Sequence, residues 1–121
     1  MSGFVGFINF NKDISKDKSI LEKMNNVIFP KSTNECKYYI DKHIAFAHKD
    51  INLAKIPGNQ PLVQKYSFGT YVIMLNGNIY NKKDLQETLL SNNFIFDSSS
   101  DVEILLKSYI HYGKDVVYHL N

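Results

Sequence analysis

The sequence predicts an α+β fold, a mostly antiparallel sheet with helices packed on it. Three observations carry this. The segments run strand, helix, two strand pairs, then helices, without the strand–helix–strand alternation of a parallel sheet. The 121 residues are 44% hydrophobic and 13% aromatic, enough to build a buried core. No internal repeat or low-complexity stretch interrupts them. At about 150 residues per domain, this length is one domain or part of one.

Residues 3–10 read as a strand. Aromatic and branched residues are nearly continuous there, the pattern of a strand covered on both faces. Residues 19–29 read as a helix, with Ile20, Leu21, Met24, Val27 and Ile28 at helical spacing. Pro30 stops it. Residues 31–35 are a polar loop. Residues 37–40 and 43–48 form a hairpin joined through Asp41 and Lys42. Pro57, Gly58, Asn59 and Pro61 make 56–61 a loop. A second hairpin joins 62–66 to 70–75 around Phe68 and Gly69. Its run 71–75 is the strongest strand of the chain and ends abruptly in Asn76-Gly77-Asn78. Residues 82–91 form a helix with Leu85, Leu89 and Leu90 on one face and Asn81 as its N-cap. Ser100 and Glu103 have capping-box spacing, so a further helix starts there. It buries Val102, Leu105, Leu106, Tyr109 and Ile110 and stops near Gly113. Residues 114–120 add a short final helix.

Composition excludes several classes. A net charge of +2, with signs interleaved, argues against nucleic acid as a partner. One cysteine, Cys36, excludes an internal disulfide framework and a thiolate zinc site. His43, His48, His111 and His119 do not fall at a metal-ligand spacing, and no metal or cofactor is expected. No apolar run approaches the roughly 20 residues of a membrane span. No basic segment followed by an apolar one marks a secretory signal, so a cytoplasmic protein is expected. All 14 basic side chains are lysine. A planar, two-pronged guanidinium clamp for carboxylate or phosphate is therefore absent.

Three places have residues suited to chemistry. At Met1-Ser2-Gly3, the small second residue permits removal of Met1, which leaves an α-amine beside the Ser2 hydroxyl. An α-amine titrates near ~8 and can take the hydroxyl proton, making an N-terminal nucleophile. Met-Ser is also an ordinary beginning, but this Ser2 directly precedes an apolar strand, where most termini fray. Asn76-Gly77 is either a type I′ hairpin turn or an oxyanion hole, in which the Asn side-chain N–H and the Gly backbone N–H point at one oxygen. Asp101 either complements the dipole of the helix it begins or holds a ligand ammonium.

Together these segments resemble the class II glutamine amidotransferases, and most of all the N-terminal domain of glutamine-hydrolysing asparagine synthetases. Met-Ser-Gly-Phe-Val-Gly-Phe is similar to their opening Met-Cys-Gly-Ile-Val-Gly-Phe. In order, Ile44-Ala45-Phe46-Ala47-His48 resembles the strand leading into His-x-Arg-Leu-Ser-Ile. Gly58-Asn59-Gln60-Pro61-Leu62 resembles the Gly-x-Gln-Pro loop. Leu75-Asn76-Gly77-Asn78-Ile79-Tyr80-Asn81 resembles Asn-Gly-Glu-Ile-Tyr-Asn, and Ser100-Asp101-Val102-Glu103 resembles Ser-Asp-Thr-Glu. Tyr118-His119-Leu120-Asn121 sits where the family has a Leu-Asn-Gly. The resemblance implies an N-terminal-nucleophile αββα sandwich over residues 1–121, roughly the first two-thirds of the family domain. It implies hydrolysis of the glutamine side-chain amide and delivery of ammonia to an ATP-dependent synthetase domain. Carried over by motif, Ser2 is the nucleophile, and Asn76 with Gly77 forms the oxyanion hole. Asp101 holds the glutamine α-amine, and Asn78 lines the pocket.

The departures matter as much. Ser2 replaces a thiol, and a hydroxyl needs full general-base help. The arginine that would bind the α-carboxylate falls at Asp50, a charge of the wrong sign; Lys49 is adjacent but on the other face of its strand. The stretch 29–34 does not match the family's Arg-Gly-Pro-Asp, and Asn78 stands where the synthetases have Glu. The expectation is a degenerate amidotransferase domain without efficient glutamine hydrolysis, serving as a scaffold beside a synthetase. The alternative is an active N-terminal-serine amidohydrolase acting on glutamine or another small amide. Without the family's last strands, a homodimer or swapped assembly is expected, unless those strands belong to a larger natural chain.

Overall fold

The computed structural model describes residues 2–30, 35–50 and 59–121. They form an α+β structure of the N-terminal-nucleophile type, in two compact units, Met1–Lys55 and Ile56–Asn121. The predicted loop 31–35 lies outside the described residues except for Glu35, as does 56–61 up to Gly58.

The first unit holds β1 (Gly3–Ile8), α1 (Lys18–Ile28), β2 (Cys36–Ile40) and β3 (Ile44–Lys49). The sheet order is β1-β3-β2, antiparallel throughout. Asp41 sets the β2–β3 turn, its Oδ1 accepting from the His43 and Ile44 amides at 2.8 Å each. Helix α1 packs on one sheet face, where Val5, Ala45 and Ala47 meet Leu21 and Ile14. The two alanines leave room for the helix to come close.

Two expectations are corrected here. Strand β1 ends at Ile8 instead of residue 10 and is not covered on both faces. Its burial alternates, and Phe4 stays 45% exposed, because α1 covers one side only. On α1 the buried residues are Leu21 and Asn25, whereas Val27 is 81% exposed. Val27 lies about 120° around the helix from Leu21, too far to share its contact. Gly6 is fixed by its partner: a Cβ there would meet the Phe46 ring at 2.5 Å, so the phenyl lies directly over the glycine across the strand pair.

The second unit holds β4 (Leu62–Tyr66), β5 (Gly69–Ile73), α2 (Lys82–Ser91), α3 (Asp101–Tyr112) and a 3-10 turn (Gly113–Tyr118). Strands β4 and β5 pair antiparallel from Leu62↔Ile73 to Tyr66↔Gly69, so the hairpin turns at Ser67 and Phe68. Strand β5 stops at Ile73, two residues short of expectation. Leu75 instead packs with Ile79, Leu85 and Ile104, and the Gln60 side chain accepts its backbone N–H at 2.6 Å. Helix α2 has the predicted bounds, with Leu85 and Leu89 buried, but Leu90 is 53% exposed. Helix α3 buries Val102 and Leu106 as expected and also Ile104, while Tyr109 turns outward. Gly113 ends it at φ 63°, and the final turn is 3-10 rather than α. No described helix is long and apolar enough to cross a membrane.

Candidate functional site

In the first unit the register places the residues. Gly3 pairs with Lys49 and Phe4 with His48, so one further step sets Ser2 opposite Asp50. The Ser2 hydroxyl donates to Asp50 Oδ1 at 2.7 Å. Strand alternation sends Lys49 to the opposite side. It is only 5% exposed there, its Nζ 6.0 Å from the ring centre of Phe29, the residue that ends α1. Lys49 thus belongs to the helix-covered face, while Ser2, His48 and Asp50 belong to the other. His48 is buried, and its Nε2 has no hydrogen-bond partner. Burial lowers its pKa, against the opposing pull of the Asp50 charge; Lys37, across the strand pair, pushes it down as well. His48 is therefore a neutral imidazole beside a carboxylate at neutral pH.

In the second unit the segment Asn76-Gly77-Asn78 follows β5 and is exposed. It leads toward α2 rather than into a returning strand, so the hairpin-turn alternative is excluded. Gly77 has φ +153°, and a Cβ there would meet nothing within 4 Å. Glycine is required by backbone conformation, not by crowding. The segment is held from Asp101, whose Oδ2 accepts the Ile79 amide at 2.8 Å. Asp101 Oδ1 pairs with Lys82 Nζ at 3.0 Å. The carboxylate carried over as an amine holder thus already has a backbone N–H and a lysine ammonium on it. Lys82 was not anticipated; it is the first residue of α2, four residues after Asn78, and only the approach of the start of α3 brings it to Asp101.

Asn81 holds the expected N-cap position of α2 and its carbonyl accepts from the Leu85 amide at 3.1 Å, but its side chain makes no cap bond. Its Nδ2 donates to the His119 carbonyl at 2.7 Å, and its Oδ1 accepts from the Asn121 amide at 2.9 Å. A neighbouring backbone bond runs from Tyr80 N–H to the Asn121 carbonyl. Residues 119–121 are therefore laid along the segment that follows Asn78.

The start of α3 is fixed by a buried network. Ser100 Oγ accepts from the Glu103 amide at 3.3 Å, half of the predicted capping box. The other half differs. The Glu103 carboxylate accepts from the Asp97 and Ser98 amides at 2.7 and 2.8 Å and from Ser98 Oγ at 2.5 Å. It also pairs with Lys107 Nζ at 3.1 Å, both side chains nearly inaccessible. Lys107 donates as well to the Ile95 carbonyl. Burial raises the Glu103 pKa, but the Ser98, Asp97 and Lys107 donors outweigh it and the net shift is downward. Glu103 is a charged, fully engaged anchor that holds Asp101 two residues away in place.

A serine directly before the first strand, a glycine-dependent turn after a strand and an acidic helix start, in this chain order, define a class. The chain belongs to the glutamine amidotransferase domain family, which it matches over residues 1–121. Within that family it is similar to asparagine synthetase (glutamine-hydrolyzing) 3 of Bacillus subtilis (strain 168), 33% identical over 122 residues, 100% of this chain and 20% of the relative. It is also similar to asparagine synthetase (glutamine-hydrolyzing) 1 of the same organism, 32% identical over 118 residues, 95% of this chain and 18% of the relative. A shorter likeness, 45% identical over 47 residues, is to amidophosphoribosyltransferase 1, chloroplastic, of Arabidopsis thaliana, covering 39% of this chain and 8% of that one. The chain thus spans at most a fifth of the length of these relatives.

Proposed function

We propose that this chain is an asparagine-synthetase-like amidotransferase domain that does not hydrolyse glutamine efficiently and acts as a scaffold beside an ATP-dependent synthetase domain or subunit. In this reading Ser2 occupies the nucleophile position, and Asn76 and Gly77 the oxyanion hole. Asp101, Asn78 and Lys49 are the residues nearest in sequence to the substrate-binding roles. The observation that carries the proposal is the Ser2–Asp50 hydrogen bond. The hydroxyl that would attack gives its proton to a carboxylate, and that carboxylate stands where the resemblance places a carboxylate-binding cation. Asp101, already paired with Lys82, supports it from the second unit. Lys49, carried on the α1 face, is turned away from Asp50 and is no substitute for the missing cation. A cytoplasmic location and a homodimer belong to the same proposal. Strand β5 carries no charged side chain that would discourage edge pairing.

The test is ammonia release from L-glutamine by the purified chain. No turnover above the Ser2→Ala variant is expected, and turnover that vanishes in Ser2→Ala overturns the proposal. The same 2.7 Å bond also favours a second reading, since a carboxylate on a serine hydroxyl can orient and polarise it. That reading is an N-terminal-serine amidohydrolase for an amide other than glutamine, and it requires Met1 to be removed.

A further inference from the structure

We infer that the Ser2 face of the β1–β3–β2 sheet takes a small amide bearing a cationic amine and no free carboxylate, with Asp50 as the residue that selects it. The inference rests on Ser2 as the residue that meets the ligand, and adds the class of ligand. Three groups on this face carry the inference. Ser2 Oγ has spent its one proton on Asp50 Oδ1 and presents lone pairs outward. Asp50 contributes the negative charge and is exposed to an approaching molecule, with further contacts of its own. His48, two residues before Asp50 and opposite Phe4, is an uncharged imidazole whose Nε2 is unpartnered. The cation adjacent in sequence, Lys49, lies on the α1 side against Phe29. Lys37, opposite His48 on β2, is a cation on the Ser2 face, one pair removed from the level of Asp50.

A group that comes within reach of Ser2 Oγ therefore meets acceptors and a carboxylate. A ligand carboxylate is repelled by Asp50, whereas an ammonium or amide N–H finds acceptors on Ser2 Oγ and Asp50, with the buried, uncharged His48 beneath them adding no positive charge. Two unit charges about 4 Å apart in water discriminate by about fivefold, and the margin shrinks as salt rises.

The experiment titrates the isotope-labelled full chain, by backbone amide signals, with L-glutaminamide and with L-glutamine near pH 7. Both carry the α-amine and the side-chain amide, and only glutamine carries the carboxylate. Glutaminamide is expected to shift the signals of residues 2–4 and 48–50 saturably and to bind about fivefold tighter than glutamine. The margin is expected to fall toward unity at about 0.5 M salt, a readout that needs no variant. It is expected to disappear in Asp50→Asn and to survive in Ser2→Ala, which keeps the charge. Equal or reversed affinities, no shift of these signals by either compound, or a margin that ignores salt and Asp50→Asn would each overturn the inference. Ammonia release from glutamine would overturn the scaffold reading instead, and leaves the order of affinities to be judged by itself.

Discussion

Replacing Glu103 by Ala is expected to be among the most damaging single changes in the second unit. The carboxylate receives two backbone N–H groups, the Ser98 hydroxyl and the Lys107 ammonium, with 4% of its side chain exposed. Removing it strands the buried ammonium without its counter-ion, which costs about 3–5 kcal/mol where such pairs are broken from one side. The lost amide bonds are contained in that figure, since water entering the small cavity satisfies part of them. Glu103→Gln keeps one acceptor oxygen and no charge, and an intermediate loss of about 2 kcal/mol is expected. The assay is urea unfolding followed by far-ultraviolet circular dichroism, read as a change in midpoint at constant slope. The double change Glu103→Leu with Lys107→Met removes both charges and should recover much of the single loss. The pH dependence has a definite sign. Glu103 titrates lower in the folded chain than in the unfolded one. Its contribution is complete above the unfolded value of about 4.3 and is lost as pH falls through the folded one. Acid sensitivity below that point should accordingly weaken in the double variant. A Glu103→Ala loss under about 1 kcal/mol, or one equal to that of the double variant, would refute the reasoning.

Three further outcomes follow from the geometry. Gly77→Ala, at φ +153° with open space around the Cβ, should cost about 1–3 kcal/mol by backbone strain alone, measurable in the same unfolding assay. Lys82→Met removes an ion pair whose lysine is 45% exposed, so stability should change by under about 1 kcal/mol while Asp101 keeps its bond to Ile79; an unchanged Ile79 amide shift in the nuclear magnetic resonance spectrum checks the latter. Size-exclusion with light scattering should report a dimer for the native chain, and a compact monomer removes that part of the proposal.

Much of this was legible from residue order, and the exceptions share one cause. The Asp41 turn, the bounds of α2 and the Ser100 cap are decided within a few residues, so local pattern suffices. Val27, Leu90 and Tyr109 fall on helical stripes that periodicity marks as apolar, yet they are exposed because the partner surface is narrower than the stripe. The Glu103 carboxylate reaches to Asp97 and Ser98, not back to Ser100, because the preceding loop folds over it, which spacing cannot express. At the candidate site, the register Gly3↔Lys49 is a long-range choice, and from it alone comes the meeting of Ser2 with Asp50. Asp50 was marked in the sequence as a wrong-signed charge; that it would hold the serine was not. His48 carried a faint signal, the alternation of residues 44–48, that set it on the Ser2 side.

The bridge made by Asn81 carries a chemical vulnerability. Its amide gives a hydrogen to one carbonyl and takes one from an amide forty residues away. Slow loss of ammonia from that side chain would leave an aspartate there. The oxygen replacing the donor nitrogen would then face the His119 carbonyl, two acceptors with no proton between them, and the tail strapped beside the glycine turn would come loose through ageing without any change in the gene.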